Sequence, residues 1–361
     1  MTSASRPLTN EFFMHRGLEL ARSGAGYVAP NPMVGAVLVY QGRIIGEGYH
    51  QQYGEAHAEV NCLASVKENN RQFISRSILY VSLEPCSHFG KTPPCTDLII
   101  KNKIPEIFIG CNDPNRGVSG GGIEKLKAAG VKVKTGILEK ECKELNRRFF
   151  TFHTQHRPYI ILKWAQTADG KMAASANPSG GGAARLLISN EYTNRLTHKW
   201  RSEEAAILVG TNTAFYDDPK LTARQWPGAS PLRLVIDMDL RLPSSLKLFD
   251  GRQRTIIFNR VKHEESESLF YYQITGEVSL VHQVINALYQ LKIQSVLVEG
   301  GARLLQSFFD EGTWDEIRKI ENKKLIIGNG LPAPEVPETV LKKEFSYAGD
   351  TVHIYRNPIS A

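Results

Sequence analysis

Three side chains limit how this chain can fold: His57, Cys86 and Cys95, which come from distant segments and form one plausible donor set. They lie in the runs His57-Ala58-Glu59, Glu84-Pro85-Cys86 and Pro93-Pro94-Cys95. One imidazole and two thiols make three ligands. Three protein ligands plus an open position is the arrangement of a catalytic zinc site, and a structural zinc, which takes four, fits the set poorly. Glu59 follows His57 by two residues. If both open a helix, the carboxylate faces the open position without ligating the metal. Zinc lowers the pKa of water to about 7, and a nearby carboxylate can shuttle the proton. Cys95 opens a predicted helix as well, where free N–H groups and the helix dipole favour a thiolate. Singly these signals are weak, because H-x-E is common and buried cysteines often merely pack. The constellation points to catalytic zinc.

The rest of the composition narrows the class. The five cysteines are Cys62, Cys86, Cys95, Cys111 and Cys142, with none afterwards. So odd and sparse a set in 361 residues is no disulfide framework. The length predicts two or three domains. With 42% hydrophobic and 22% charged residues, disordered and collagen-like chains are excluded. The net charge of +7 is mild, with no basic run or aromatic-interleaved patch, which argues against nucleic acid as a partner. Residues 1–13 lack the basic and apolar regions of a signal peptide, and no apolar run approaches the roughly 20 residues of a membrane span. The expectation is a cytoplasmic homo-oligomer acting on a small molecule.

Periodicity supplies the organisation. Residues 9–24 carry Phe12, Phe13, Leu18, Leu20 and Ala21 on one face and read as a helix. Residues 34–40 and 43–49 read as a hairpin about Gln41-Gly42. Helices are predicted over 57–67, 96–103, 121–129 and 139–150, alternating with strands over 77–83, 106–111 and 131–135. This alternation predicts a three-layer α/β domain over 1–152. Polar residues 151–158 mark a boundary, and 153–361 read as a second α/β domain. There, 159–164 opens the block, strands are expected at 205–210, 232–237, 254–258 and 295–299, and helices at 191–202, 281–291 and 302–311. The Gly-rich run 177–184 and the polar run 210–224 read as loops.

The order of H-A-E and the two P-C runs follows the pattern of zinc deaminases of nucleobases, which have a closer cysteine pair. More specifically, PNPMVGAVLV (30–39), GEGYHQQYGEAHAEV (46–60) and LEPCSHFGKTPPC (83–95) resemble the deaminase half of the bifunctional deaminase–reductase of riboflavin biosynthesis. The eight-residue gap between Cys86 and Cys95 is that family's. The resemblance implies a cytidine-deaminase-like fold and hydrolytic deamination of a pyrimidine bearing a ribosyl phosphate. It implies zinc on His57, Cys86 and Cys95, Glu59 as proton shuttle, and Asn31, His50, His88 and Lys91 around the substrate. Lys91 reads equally as a solvated loop lysine. Cys62, Cys111 and Cys142 read as packing residues.

In the second half, a strand over 295–299 followed by Gly300-Gly301 and a helix suits a phosphate, although such glycines also serve merely to turn the chain. It is not a G-x-G-x-x-G fingerprint. LKWAQTADGK (162–171), the run 200–224 and VLVEGGARLLQSF (296–308) resemble the family's reductase half, which implies a dihydrofolate-reductase-like fold using NADPH. By motif position, Ala165, Leu187, Thr213, Asp217, Gly301, Ala302, Arg303, Leu304, Leu305, Gln306 and Ser307 fall at the cofactor. Arg201, Leu221, Arg224 and Glu299 fall at the phosphoribosyl substrate, where an arginine fork suits phosphate. Arg201 reads alternatively as a helix-dipole partner. Lys163 and Asp217 are candidate acids. The sequence departs from the family at Leu187, where a tryptophan is usual, leaving a backbone contact. Residues 313–329 depart too, being Lys/Asn-rich where a cleaner strand pattern is usual. Two other readings stay open: a deaminase with a degenerate reductase half, and a nucleic-acid-editing deaminase.

Overall fold

Strands buried on both faces read as near-continuous apolar runs, and Ile78–Leu83 and Glu106–Cys111 are of this kind. The computed structural model describes residues 9–90, 93–115, 119–174 and 186–359, and contacts divide it after His156. Lys91 and the expected loop 177–184 lie outside the described residues. The first unit runs α1 (Asn10–Arg22), β1 (Gly35–Tyr40), β2 (Arg43–Tyr49), α2 (Ala58–Ala64), β3 (Ile78–Leu83), α3 (Cys95–Lys101), β4 (Glu106–Cys111), α4 (Gly121–Ala128), β5 (Lys132–Thr135), α5 (Glu139–Leu145) and α6 (Arg147–Gln155).

Its sheet has the order β2-β1-β3-β4-β5. β3, β4 and β5 are parallel, and β1 is antiparallel to both its neighbours, so β2 also points the same way. The carboxyl ends of β2, β3 and β4 therefore share one edge. One face packs Ala58, Cys62, Ile99 and Leu126 of α2, α3 and α4 against Leu38, Leu79 and Ile107. The other packs Phe13, Leu18, Cys142 and Phe149 of α1, α5 and α6 against Val37, Tyr80 and Phe108. This is a three-layer α/β unit. The position 152/153, at which the domains were expected to meet, falls inside α6.

The second unit runs β6 (Tyr159–Thr167), β7 (Lys171–Ala174), α7 (Glu191–Glu203), β8 (Ala206–Val209), α8 (Thr211–Asp217), β9 (Leu232–Ile236), β10 (Thr255–Asn259), β11 (Glu264–Glu265), β12 (Leu269–Gln273), α9 (Leu280–Gln290), β13 (Ser295–Glu299), α10 (Ala302–Asp310), β14 (Glu316–Asn322), β15 (Gly330–Pro332), β16 (Val340–Tyr347) and β17 (Asp350–Arg356). Its ten-stranded sheet has the order β11-β12-β10-β9-β8-β13-β6-β14-β17-β16, and the run from β12 to β14 is parallel. α9 and α10 cover one face; Trp200 of α7 and Ala214 of α8 pack on the other. Among the described residues, no helix is long and apolar enough to cross a membrane.

Three expectations are corrected. The single helix over 139–150 is two, broken at Asn146, whose side chain accepts from the Met33 N–H and donates to the Met33 carbonyl, both at 2.8 Å. The polar loop 210–224 begins as α8. The run 313–329 contains β14, a full ladder strand between β6 and β17. Its strand pattern is hidden because Glu316 and Arg318, both buried, are charged. Arg318 pairs with Glu316 and Glu204, and Arg356 with Glu316.

Asn146→Ala removes both hydrogen bonds to Met33 and leaves two backbone groups without partners, at a cost of about 1–3 kcal/mol. Urea unfolding followed by cysteine reactivity reads the first unit alone, since all five cysteines lie in it. The midpoint is expected to fall; a wild-type midpoint would contradict this account of the helix break.

Candidate active sites

His57 is the N-cap of α2, Glu59 lies in its first turn, and Cys95 is the first residue of α3. Cys86 lies in the turn after β3. His57 Nδ1 is 3.5 Å from Cys86 Sγ and 3.4 Å from Cys95 Sγ, and the three donor atoms all lie within 4.8 Å of one another. A tetrahedral ion about 2.0 Å from nitrogen and about 2.3 Å from sulfur holds such atoms about 3.5 Å apart. The donor set thus fits zinc in chemistry and spacing. Among the described residues no other His/Cys/Asp/Glu group has this closeness.

The electrostatics favour one thiolate in the pair, on Cys86. The Cys95 N–H donates to Cys86 Sγ at 3.3 Å. The Cys95 thiol, followed by His57, holds Cys86 well below the ordinary thiol range, while Cys95 is pushed up by its ionised neighbour. The hydrogen bond with Cys86 raises the His57 pKa. Glu59 is buried, and burial, reinforced by Cys86, pushes its carboxyl up.

His57, Glu59 and Cys86 face a cavity of about 280 Å³, lined also by Asn31, His50, His88, Asp113 and Asn115. His50 Nδ1 lies 3.0 Å from the Ala56 carbonyl and Nε2 3.1 Å from the Asn31 amide nitrogen. That pattern assigns the proton to Nδ1, with Nε2 accepting from Asn31. Burial lowers the His50 pKa, which keeps the ring neutral. The sequence reading missed Asp113 and Asn115. Burial pushes the Asp113 carboxyl up to about 6. The Asp-Pro-Asn run directly after a buried strand is the signal that marks them.

In the second unit, Lys163 of β6 and Glu299 of β13 are ladder partners. Arg201 of α7 donates through Nε and Nη2 to both Glu299 oxygens, at 2.8 and 2.6 Å, and through Nη1 to the Thr222 carbonyl. Lys163 Nζ lies 3.9 Å from Glu299. Burial alone would raise Glu299, but the charges of Arg201 and Lys163 hold it down, to about 2. Burial lowers the Lys163 ammonium against the pull of Glu299. The fork of Arg201, expected at the substrate phosphate, is therefore taken up by Glu299. Arg224 is exposed, with Nη1 on the Thr222 hydroxyl, and Leu221 is buried beside it in the chain at φ 51°. His198, also missed, is buried, and its Nδ1 has no hydrogen-bond partner among the described residues. Burial, then Arg201 and Arg224, push its pKa down to about 4.

The residues expected at the cofactor are only partly gathered. Gly300 and Gly301 have φ of 96° and 78°, and a Cβ on either would come within 3.5 Å of the Thr213 side chain. Gly301 caps α10 without a side-chain hydrogen bond, so this turn offers backbone N–H groups beside Thr213, a cradle suited to a dinucleotide phosphate. Ala165 lies two residues beyond Lys163 on β6. Asp217 ends α8, and the Asp217 side chain is exposed. Farther along α10, Leu305 is buried in the core and the Ser307 hydroxyl donates to the Leu304 carbonyl. Gln306 accepts from the Glu335 N–H. Leu187 is 75% exposed.

Residues 8–111 match the cytidine and deoxycytidylate deaminase zinc-binding region, and residues 158–332 match the RibD C-terminal domain. The riboflavin biosynthesis protein RibD of Aquifex aeolicus is 40% identical over 357 residues, which span 95% of this chain and 97% of its own. This chain belongs to the RibD family. RibD of Escherichia coli is 32% identical over 329 residues, 86% of each chain. A solved Thermotoga maritima diaminohydroxyphosphoribosylaminopyrimidine deaminase/5-amino-6-(5-phosphoribosylamino)uracil reductase is 35% identical, with a TM-score of 0.83 over 96% of this chain and 98% of that one. As a RibD-family member, the chain is a bifunctional deaminase and reductase of riboflavin biosynthesis. It pairs a cytidine-deaminase-like unit with a dihydrofolate-reductase-like one, and the nucleic-acid-editing and degenerate-reductase readings give way.

The Glu299 pairing carries a pH signature. The ordinary value is 4.5 and the folded value about 2. A depressed carboxyl stabilises the fold above the unfolded pKa, so this contribution is lost as pH falls from about 4.5 through about 2. All four tryptophans, Trp164, Trp200, Trp226 and Trp314, lie in the second unit, so their fluorescence follows its unfolding. Glu299→Gln is expected to be less stable at neutral pH, with buried cations left unpaired, and to show a flatter acid limb. An unchanged acid limb would contradict the pairing.

Proposed function

We propose that the first unit hydrolyses an exocyclic amine from a pyrimidine bearing a phosphoribosylamino group, and that the second reduces the ribosyl group to ribityl with NADPH. The observation that carries the first half is the His57, Cys86, Cys95 donor set beside the buried Glu59. When bound there, zinc supplies a Lewis acid that makes water nucleophilic near neutral pH. Glu59 moves the protons: its raised pKa suits a group that takes one proton from the attacking water to the ring nitrogen, then takes the second from the added hydroxyl to the amine as the carbon–nitrogen bond breaks. Ammonia leaves and oxygen takes its place. Asn31 fixes the His50 ring, and both face the substrate together with His88. Lys91 is assigned to the phosphate by its motif alone.

For the reductase, NADPH supplies the hydride, and the protein's part is orientation. Gly301, Ala302 and Arg303 at the start of α10, with Thr213, would hold its phosphates, and Ala165 would line its site. On the substrate side Arg224 offers the guanidinium for the phosphate, beside Leu221. Arg201 acts through Glu299, which it orients toward the sugar. Lys163, an ammonium eased by burial, gives a proton to the sugar ring oxygen as the bond from that oxygen to the carbon bearing the amine breaks and that carbon accepts hydride.

Glu59→Gln is expected to retain zinc and to lower deamination by roughly 10²- to 10⁴-fold with reduction intact. Deamination at the wild-type rate would remove Glu59 from the reaction. Arg224→Ala is expected to raise the reductase KM for the phosphorylated substrate by about tenfold or more, the loss of one charge-assisted contact, and to leave deamination unchanged. A parallel fall in both activities would refute separate sites.

A further inference from the structure

Glu84 is a buried carboxylate with no part in the proton transfers above. Its Oε2 accepts the N–H groups of Asp113 at 3.3 Å and Gly120 at 3.1 Å, and its Oε1 those of Gly122 at 3.1 Å and Ile123 at 3.4 Å. One side chain thus gathers four backbone donors from the segment after β4 and the first turn of α4. The N-cap of that helix, Gly120, supplies no side chain of its own. Independently, the start of α4 lies against the backbone that follows Glu84. A Cβ on Gly122 would stand 2.1 Å from the Pro85 carbonyl oxygen, and one on Gly121 would stand 3.1 Å from Ser87 Oγ. A backbone carbonyl has little room to yield, so only glycine permits this approach. Cys86 lies between those two points. The chain that carries it is fastened on one side by the Glu84 carboxylate and seated on the glycines Gly121 and Gly122.

We propose that Glu84 and Gly122 are positioning residues for the metal. Together they set where Cys86 Sγ stands relative to His57 and Cys95, and the same carboxylate keeps the Asp113 wall of the cavity in step with the sulfur. Groups that orient ligands from behind typically change metal affinity by roughly 10- to 100-fold when removed. The inference rests on the reading of His57, Cys86 and Cys95 as zinc ligands.

The test uses the full-length chain. Zinc affinity is measured by competition with a chromophoric chelator, and ligand geometry by the visible spectrum of the cobalt(II)-substituted protein. Glu84→Gln and Gly122→Ala are expected to weaken zinc binding roughly 10- to 100-fold and to shift the cobalt spectrum. Leu126→Ala, on the buried face of α4, serves as the control: it lowers thermal stability while keeping wild-type affinity and spectrum. Wild-type affinity and spectrum in Glu84→Gln and Gly122→Ala would overturn the proposal. So would losses no larger than those of Leu126→Ala, or a first unit that fails to fold in both variants with saturating zinc, since the pair would then hold the fold and not the metal. A wild-type chain that bound no zinc would instead refute the ligand reading itself.

Discussion

Four strands of the first sheet, β2 to β5 apart from β1, point the same way, and everything at the first site depends on that. Because their carboxyl ends share an edge, the N-terminus of α2, the turn after β3, the segment after β4 and the starts of α3 and α4 all meet there. The donors His57, Cys86 and Cys95 come from three of these places, yet their atoms lie within 4.8 Å. Packing alone gives no reason to bring an imidazole and two thiols so close. The hydrogen bond from Cys95 depresses the Cys86 thiol, and burial, reinforced by Cys86, raises the Glu59 carboxyl.

The second unit meets a different requirement. One of its charge clusters joins Lys163 in the middle of β6, Glu299 at the end of the neighbouring parallel strand β13, and Arg201 on α7. Arg201 grips Glu299 with a full bidentate fork, so the carboxylate is fixed in direction as well as in charge. A reaction whose bond-making belongs to a nicotinamide needs such fixed partners more than it needs a nucleophile. The turn at Gly300 and Gly301 and the uncapped start of α10 complete this arrangement with backbone N–H groups.

Much of this was legible in residue types and spacing. The H-A-E run and the two P-C runs indicated a metal site before any geometry, because few other functions need that set in that order. The parallel strands were legible where apolar runs were clean, as in 78–83 and 295–299. What escaped has physical reasons. β14 was hidden because its inward positions Glu316 and Arg318 are charges satisfied by partners distant in sequence. The break at Asn146 depends on a hydrogen bond to Met33, which no local pattern reveals. Arg201 read as a phosphate ligand because its residue type suits one; only the fold shows that Glu299 already occupies its fork. Asp113 and Asn115 carried only the signal of a short polar run after a buried strand, and His198 carried none; the cavity brings out the first two and burial the third.

The central claim is that one chain holds two chemically independent sites, a zinc deaminase and an NADPH reductase. The most direct measurement is product analysis of the phosphoribosylaminopyrimidine substrate with and without NADPH, before and after removal of zinc with a chelator. The account predicts deamination with one ammonia released per substrate in the absence of NADPH, and the ribityl product only when NADPH is added. It also predicts that the chelated protein no longer deaminates yet still reduces the deaminated ribosyl intermediate supplied to it. Deamination that survives complete zinc removal, or reduction that disappears with the zinc, would contradict it.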